Sequence, residues 1–147
     1  MSDRTITYRK LRILKYQLRE DVNITIDLTP KDAVETPFIT LSKEGALWIK
    51  SGYSWDGPSG PTIDTNNFMR GSLVHDALYQ LMRESKLDYK RDRDQADKVL
   101  CTICKEDGMS SFRAKYVYLG LKYKGQKNAM PTPNTTPKLF TVPKLRK

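Results

Sequence analysis

Cysteine and histidine are scarce in this chain of 147 residues, which has two of the first and one of the second. Two cysteines exclude a disulfide scaffold, and the CxxC spacing of Cys101 and Cys104 has no second pair to complete a zinc site. The expected compartment during synthesis is therefore a reducing one. Long apolar runs are missing too, since none approaches the ~18 residues needed to cross a bilayer. The opening Met1, Ser2, Asp3 and Arg4 lead into a polar segment with neither the apolar stretch nor the small-residue cleavage site of a secretory signal. Acidic residues are absent from one region. From Gly108 to Lys147 there are nine basic residues and no acidic one, so the chain's 26 Lys and Arg against 17 Asp and Glu leave residues 1–107 neutral. A fold that reads nucleic acid carries its basic patch on the folded body, so no specific nucleic-acid ligand is expected. The basic stretch suits phosphates, lipid headgroups or an acidic protein surface.

What is present describes one α+β domain with an arm. With 38% hydrophobic and 29% charged residues the composition is globular, and the length allows a single compact unit over 1–125 followed by an extended segment, 126–147. Residues 1–50 read as antiparallel β-hairpins. Ile6 to Tyr8, Leu11 to Leu18 and Val22 to Leu28 alternate apolar and polar side chains, with Glu20 and Asp21 at a turn. Phe38 to Leu41 and Ala46 to Ile49 flank Ser42–Gly45, where Gly45 can take the positive φ of a tight turn. GYSWDGPSGP, residues 52–61, holds three glycines and two prolines and predicts a shaped loop across 51–66.

Three helices follow over 67–125: Asn67 to Met82, Asp92 to Glu106 and Ser111 to about Lys124. Phe68, Val74, Leu78 and Leu81 repeat at helical spacing in the first. In the second, Asp92 as N-cap with Gln95 three residues on makes a capping box, and Ala96, Val99, Leu100 and Ile103 form the apolar stripe. The third is expected to pack through Phe112, Tyr116, Leu119 and Tyr123 and to stop at Gly125. Cys101 and Cys104 read as small core fillers.

The single histidine, His75, sits within HDALY. His75 and Tyr79 share a helix face, while Asp76 points about 100° away. A short link makes the next helix an antiparallel neighbour, which brings Asp97 opposite His75 and Tyr79. A lone helical histidine is more often a core residue than a catalyst. The preceding loop shifts the balance, because close-set backbone carbonyls beside a carboxylate are how a hard cation such as calcium is held. A histidine with a carboxylate behind it and a metal in front can activate water.

GYSWDGPSGP, RGSLVHDALYQLM and RDRDQADKVL, in that order, resemble the phospholipase A2 superfamily. That superfamily has a glycine-rich calcium loop, an HDxxY helix and a later Asp-bearing helix, and the parvovirus capsid phospholipases are the nearer version. The stretch from Phe38 to Gly125 also resembles an uncharacterised family of small phage and prophage proteins with HDxLY and RxxAD motifs. The phospholipase resemblance implies that His75 is the general base, that Asp97 and Tyr79 orient it, and that Asp76 is the calcium carboxylate. Loop carbonyls around Trp55, Gly57 and Ser59 complete the implied ligand set. Asp56, a charge the viral loops lack, is either a further ligand or a cap on the next helix, and Ser59 stands where the phospholipase loop has glycine.

Two functions from different classes follow as expectations. One is a phage-encoded, calcium-dependent phospholipid ester hydrolase acting on a host membrane. The other is a non-catalytic tail or capsid component that docks on other phage structural proteins through residues 126–147. The basic, proline-containing arm has apolar anchors Leu139, Phe140, Val142 and Leu145 and suits a protein groove. The expected location is the virion or the host cytoplasm.

Overall fold

The computed structural model describes residues 2–10, 16–57 and 66–124. The fold is α+β: the described residues form seven short strands in two antiparallel sheets, then three helices. The strands are β1 (Tyr8–Lys10), β2 (Tyr16–Leu18), β3 (Val22–Thr25), β4 (Val34–Glu35), β5 (Ile39–Leu41), β6 (Ala46–Ile49) and β7 (Ser54–Trp55). The helices are α1 (Asn66–Arg83), α2 (Tyr89–Glu106) and α3 (Ser111–Lys124). One sheet has the order β1-β2-β7 and the other β3-β6-β5-β4. No described helix is long and apolar enough to cross a membrane. The arm, 126–147, and the helix stop expected at Gly125 lie outside the described residues.

The β5–β6 hairpin follows from its sequence. Ile39, Leu41, Leu47 and Ile49 alternate inward and pair across the ladder, Ile39 with Ile49 and Leu41 with Leu47. Gly45 closes the turn at φ +90°, where a Cβ would stand 2.3 Å from the Ile26 carbonyl oxygen, so both the conformation and the space require glycine.

Four expectations need correction. Glu20 and Asp21 do not close a hairpin between β2 and β3. They carry the chain from one sheet to the other, because β3 pairs with β6 and β2 with β1 and β7. Alternation sets which face of a strand is buried but not which strand lies beside it. The Asp21 carboxylate holds this corner by accepting from the Ser51 amide (2.7 Å) and the Trp48 indole (3.1 Å).

The loop beginning at Gly52 contains a strand, β7, which pairs Trp55 with Tyr16. Burial of Trp55 against the rings of Tyr8 and Tyr16 overrides the local glycine content.

α2 starts three residues before the expected Asp92. Asp88 is its N-cap and accepts from the Lys90 amide at 3.0 Å, while Asp92 lies buried in the first turn beside the Arg91 guanidinium. Asp88 serves as the cap because it alone sits in extended backbone ahead of the turn.

The face of α3 expected to pack is the exposed one. Phe112 is 84% exposed, Tyr116 65% and Leu119 41%, and the side chain of Tyr123 lies outside the described residues. Ala114, Val117 and Leu121 pack instead, against Phe68, Leu100, Cys101, Cys104 and Met109. The close approach of α3 to α2, marked by the Cys101 thiol donating to the Ala114 carbonyl at 3.2 Å, leaves room only for the smaller set. Burial pushes the thiols of Cys101 and Cys104 up to about 11 and about 12, which fits packing rather than redox use.

α1 is the axis of the molecule. Its residues from Phe68 to Val74, with Ala77, Leu78, Leu81 and Met82, are buried between the sheets and α2. Gly71 lets α2 come close, since a Cβ there would meet Leu100 Cδ1 at 2.7 Å. Leu87 closes the short link from α1 to α2.

Two glycines separate the effect of conformation from that of space. Gly108 also has positive φ, but a Cβ there meets nothing within 4 Å. Gly108→Ala should cost about 1 kcal/mol in urea unfolding, the strain of a left-handed residue alone. Gly45→Ala should cost about 2–4 kcal/mol because the clash adds to that strain. Equal losses would show that the Ile26 contact carries no weight.

Candidate functional site

Two adjacent turns of α1 and the middle of α2 build the site. His75 and Tyr79, four residues apart, face α2, and their rings touch at a tilt of 39° with 4.0 Å between centroids. Asp97 projects from α2 between them and is 1% exposed. Its Oδ1 lies 2.8 Å from His75 Nε2 and accepts from the Tyr79 hydroxyl at 2.6 Å. The juxtaposition expected from HDALY and the AD of the next helix is therefore present. No buried side-chain nitrogen or oxygen among the described residues lacks a partner, so this carboxylate is compensated rather than stranded.

An ionised carboxylate only accepts, so Nε2 must carry a proton in either charge state of the ring. In neutral His75 the free lone pair is then on Nδ1. That atom faces Asp76, whose carboxylate lies 4.0 Å away and whose side chain is 31% exposed. The histidine thus has a closed side at Asp97 and a side directed toward the more open Asp76.

Electrostatics favour the protonated ring. Burial pulls the His75 pKa down, but the Asp76 and Asp97 carboxylates outweigh burial and raise it above the ordinary 6.5. The Tyr79 hydroxyl is pushed well above its ordinary value by burial and by Asp97, so it stays a donor throughout the accessible pH range.

The remaining expected positions are less closely gathered. Trp55 lies in β7 with its ring in the core, and its indole donates to Ser72 Oγ of α1 at 3.1 Å. Gly57 has φ +83° and lies against the Tyr16 ring, where a Cβ would be 2.5 Å from it. Asp56 is exposed. Ser59 lies outside the described residues. Among the described residues no group of three or more His, Cys, Asp or Glu side chains is placed to hold a metal ion together.

Sequence reasoning missed Tyr53. It is buried, donates to Gln80 Oε1 of α1 at 3.1 Å, and has its hydroxyl pKa raised by burial and then by Asp76, with Asp56 contributing. The phenol therefore lies in the field of both acidic residues. The signal was the spacing of Tyr53 and Trp55, two apart and both buried, with Trp55 in β7 and Tyr53 just ahead of it.

Because His75 is the only histidine, its titration can be followed without assignment ambiguity. Its folded pKa lies above the unfolded value. The stability it contributes is accordingly complete below about 6.5 and is lost as pH rises through the elevated pKa. The imidazole proton signal in NMR should titrate above 6.5 in the wild type and at lower pH in Asp97→Asn. That variant should also lose about 2–4 kcal/mol at pH 6, since the charge opposite the buried ring is gone. An unchanged midpoint in Asp97→Asn would mean that the 2.8 Å contact does not set the protonation of His75.

The comparisons with known proteins come to one match. No curated protein and no solved structure matches the chain. The family described as "Protein of unknown function (DUF1353)" matches residues 33–121, from the segment bearing β4 to α3. That span takes in Tyr53, Asp56, His75, Asp76, Tyr79 and Asp97 and more than half of the sequence, and on it the chain belongs to the DUF1353 family.

Proposed function

We propose that this protein is a phospholipase-A2-like hydrolase of phospholipid esters, encoded by a phage and directed at a host membrane. The observation that carries the reading is the Asp97 carboxylate holding His75 Nε2 at 2.8 Å with Tyr79 on the same oxygen, which fixes the tautomer and leaves Nδ1 as the base. In the reaction, water gives a proton to Nδ1 as its oxygen bonds to the ester carbonyl carbon. The ester C–O bond then breaks, and the proton on Nδ1 passes to the departing alkoxide, releasing a fatty acid and a lysophospholipid. Asp97 stabilises the imidazolium formed midway, and Tyr79 keeps Asp97 from turning away.

The donor chemistry fits calcium in kind. Asp76 is a hard oxygen ligand on the Nδ1 side of His75, and Asp56 acts on the same Tyr53 hydroxyl as Asp76 does. No described group of three such side chains is placed to hold a metal, so the remaining ligands would be main-chain carbonyls of the loop at Trp55 and Gly57, with Ser59, outside the described residues, as the third expected position. A calcium ion held there would polarise the ester carbonyl and stabilise the oxyanion.

A second reading has its own support. His75 is only 7% exposed, and an open groove of about 760 Å³ lies elsewhere, between β3, α2 and α3. A buried His–Asp–Tyr cluster can serve purely as a scaffold, as in a structural component of a phage particle docking through residues 126–147.

Release of fatty acid from a short-chain phospholipid in millimolar calcium separates the two. The hydrolase reading expects turnover that falls about 10²–10⁴-fold in His75→Gln. It also expects a calcium-dependent rise in melting temperature that Asp76→Asn removes. No turnover and no calcium shift in the wild type would leave the scaffold reading.

A further inference from the structure

α3 is apolar on two opposite faces. Ala114, Val117 and Leu121 face α2, and roughly half a turn round the helix Phe112, Tyr116 and Leu119 lie within about 60° of one another. No described residue covers this second face: Phe112 is 84% exposed, Tyr116 65% and Leu119 41%. Single exposed apolar residues are ordinary, but three on one stripe of one helix mark a contact surface. Cations border the stripe on both sides, Arg113 on one flank and Lys115 and Lys122 on the other, and α3 carries no acidic residue.

We propose that this face of α3 is a docking surface for an anionic lipid bilayer. Two of its three apolar side chains are aromatic, which suits the boundary between headgroup and acyl chain, and the flanking cations reach the phosphates while their stems lie along apolar surface. Charge complementarity rules against the other occupants. A second copy would bring Arg113, Lys115 and Lys122 against their own counterparts. The chain's own residues 126–147 are also basic without an acidic residue, so they are repelled by the same flanks. A flat anionic surface can meet cations on both flanks of the stripe at once and asks for no matching pocket. The inference deepens the lipid-ester reading and rests on it for its purpose, because such a surface would hold the protein where its substrate is.

The test is co-sedimentation of the full chain with phosphatidylglycerol vesicles or phosphatidylcholine vesicles, in EDTA, using His75→Gln and the same protein with Phe112→Ser and Tyr116→Ser added. Partition onto phosphatidylglycerol should fall about tenfold or more in the variant with serines, although its charge is unchanged, and added salt should weaken the binding of the parent. Both side chains are exposed, so the melting temperature should stay the same. Weak binding to phosphatidylcholine is expected. No binding of the parent to phosphatidylglycerol overturns the proposal, as does binding that the serines leave untouched, which would assign it to the basic arm. Capture by polyglutamate that depends on Phe112, without vesicle binding, overturns it in favour of an acidic protein partner. Because catalysis is disabled throughout, binding is read apart from turnover: vesicle binding here, together with no turnover of short-chain phospholipid by the wild type in calcium, keeps the surface and removes the hydrolase. Turnover of a soluble short-chain phospholipid without vesicle binding does the reverse.

Discussion

A carboxylate removed from water between two helices must find donors on the spot, and Asp97 dictates much of what surrounds it. Its desolvation costs several kcal/mol if uncompensated. Two donors on one oxygen, from His75 and Tyr79, offset that cost, and both come from successive turns of α1. The arrangement fixes the rotational setting of α1 and the register of α2 together, since a shift of one residue in either helix would strand the charge. Leu or Val at the same three positions would allow the helices to slide. The polar cluster thus defines one alignment, and that alignment aims Nδ1 of His75 toward Asp76.

Other contacts hold α1 at its ends. Trp55 is buried against Tyr8 and Tyr16 and donates to Ser72, which ties the smaller sheet to the helix one turn before His75. Arg70, nearly inaccessible, grips Asp107 through two bonds of 3.0 Å and the Asp3 carbonyl through a third, joining α1 to the end of α2 and to the N-terminal segment. A planar guanidinium can make these bonds in one geometry, which lysine cannot. Between Arg70 and Tyr79 nearly every side chain of α1 is committed. Asp76 is the more open one, its side chain 31% exposed while its carboxylate lies 4.0 Å from His75 Nδ1.

What could be read from the sequence follows which quantities are local. The β5–β6 hairpin was legible, because Gly45 and the alternation around it act over a few residues. So was the His75–Asp97 pairing, since a short link forces two amphipathic helices to be antiparallel neighbours. The partner of β3 was not, because β6 lies more than twenty residues away and alternation carries no address. β7 was hidden by glycines and prolines whose local preference was outweighed by burial of one tryptophan. The start of α2 was misjudged because Asp88 and Asp92 are both chemically able caps, and only backbone geometry decides between them. On α3 residue size points the larger set inward, yet a helix with two apolar faces has no preferred side by periodicity, and space beside α2 admits the smaller set. The ligand set around the loop is the least local feature of all, depending on main-chain directions that no residue type encodes.

His75 serves two demands that pull in opposite directions. As a base it must be neutral, with the Nδ1 lone pair free. As a partner of Asp97 it contributes most to stability when protonated, because a cation then faces the buried anion and Asp76 lies close by. The two carboxylates that raise its pKa therefore strengthen the fold over the same pH range in which they disable the base. A hydrolase built on this dyad gains activity as pH rises through the elevated pKa and gives up the His75 contribution to stability over the same interval. A scaffold would lose stability there with nothing gained. The sign of that exchange, and not the mere presence of the dyad, is what distinguishes a histidine kept for chemistry from one kept for packing.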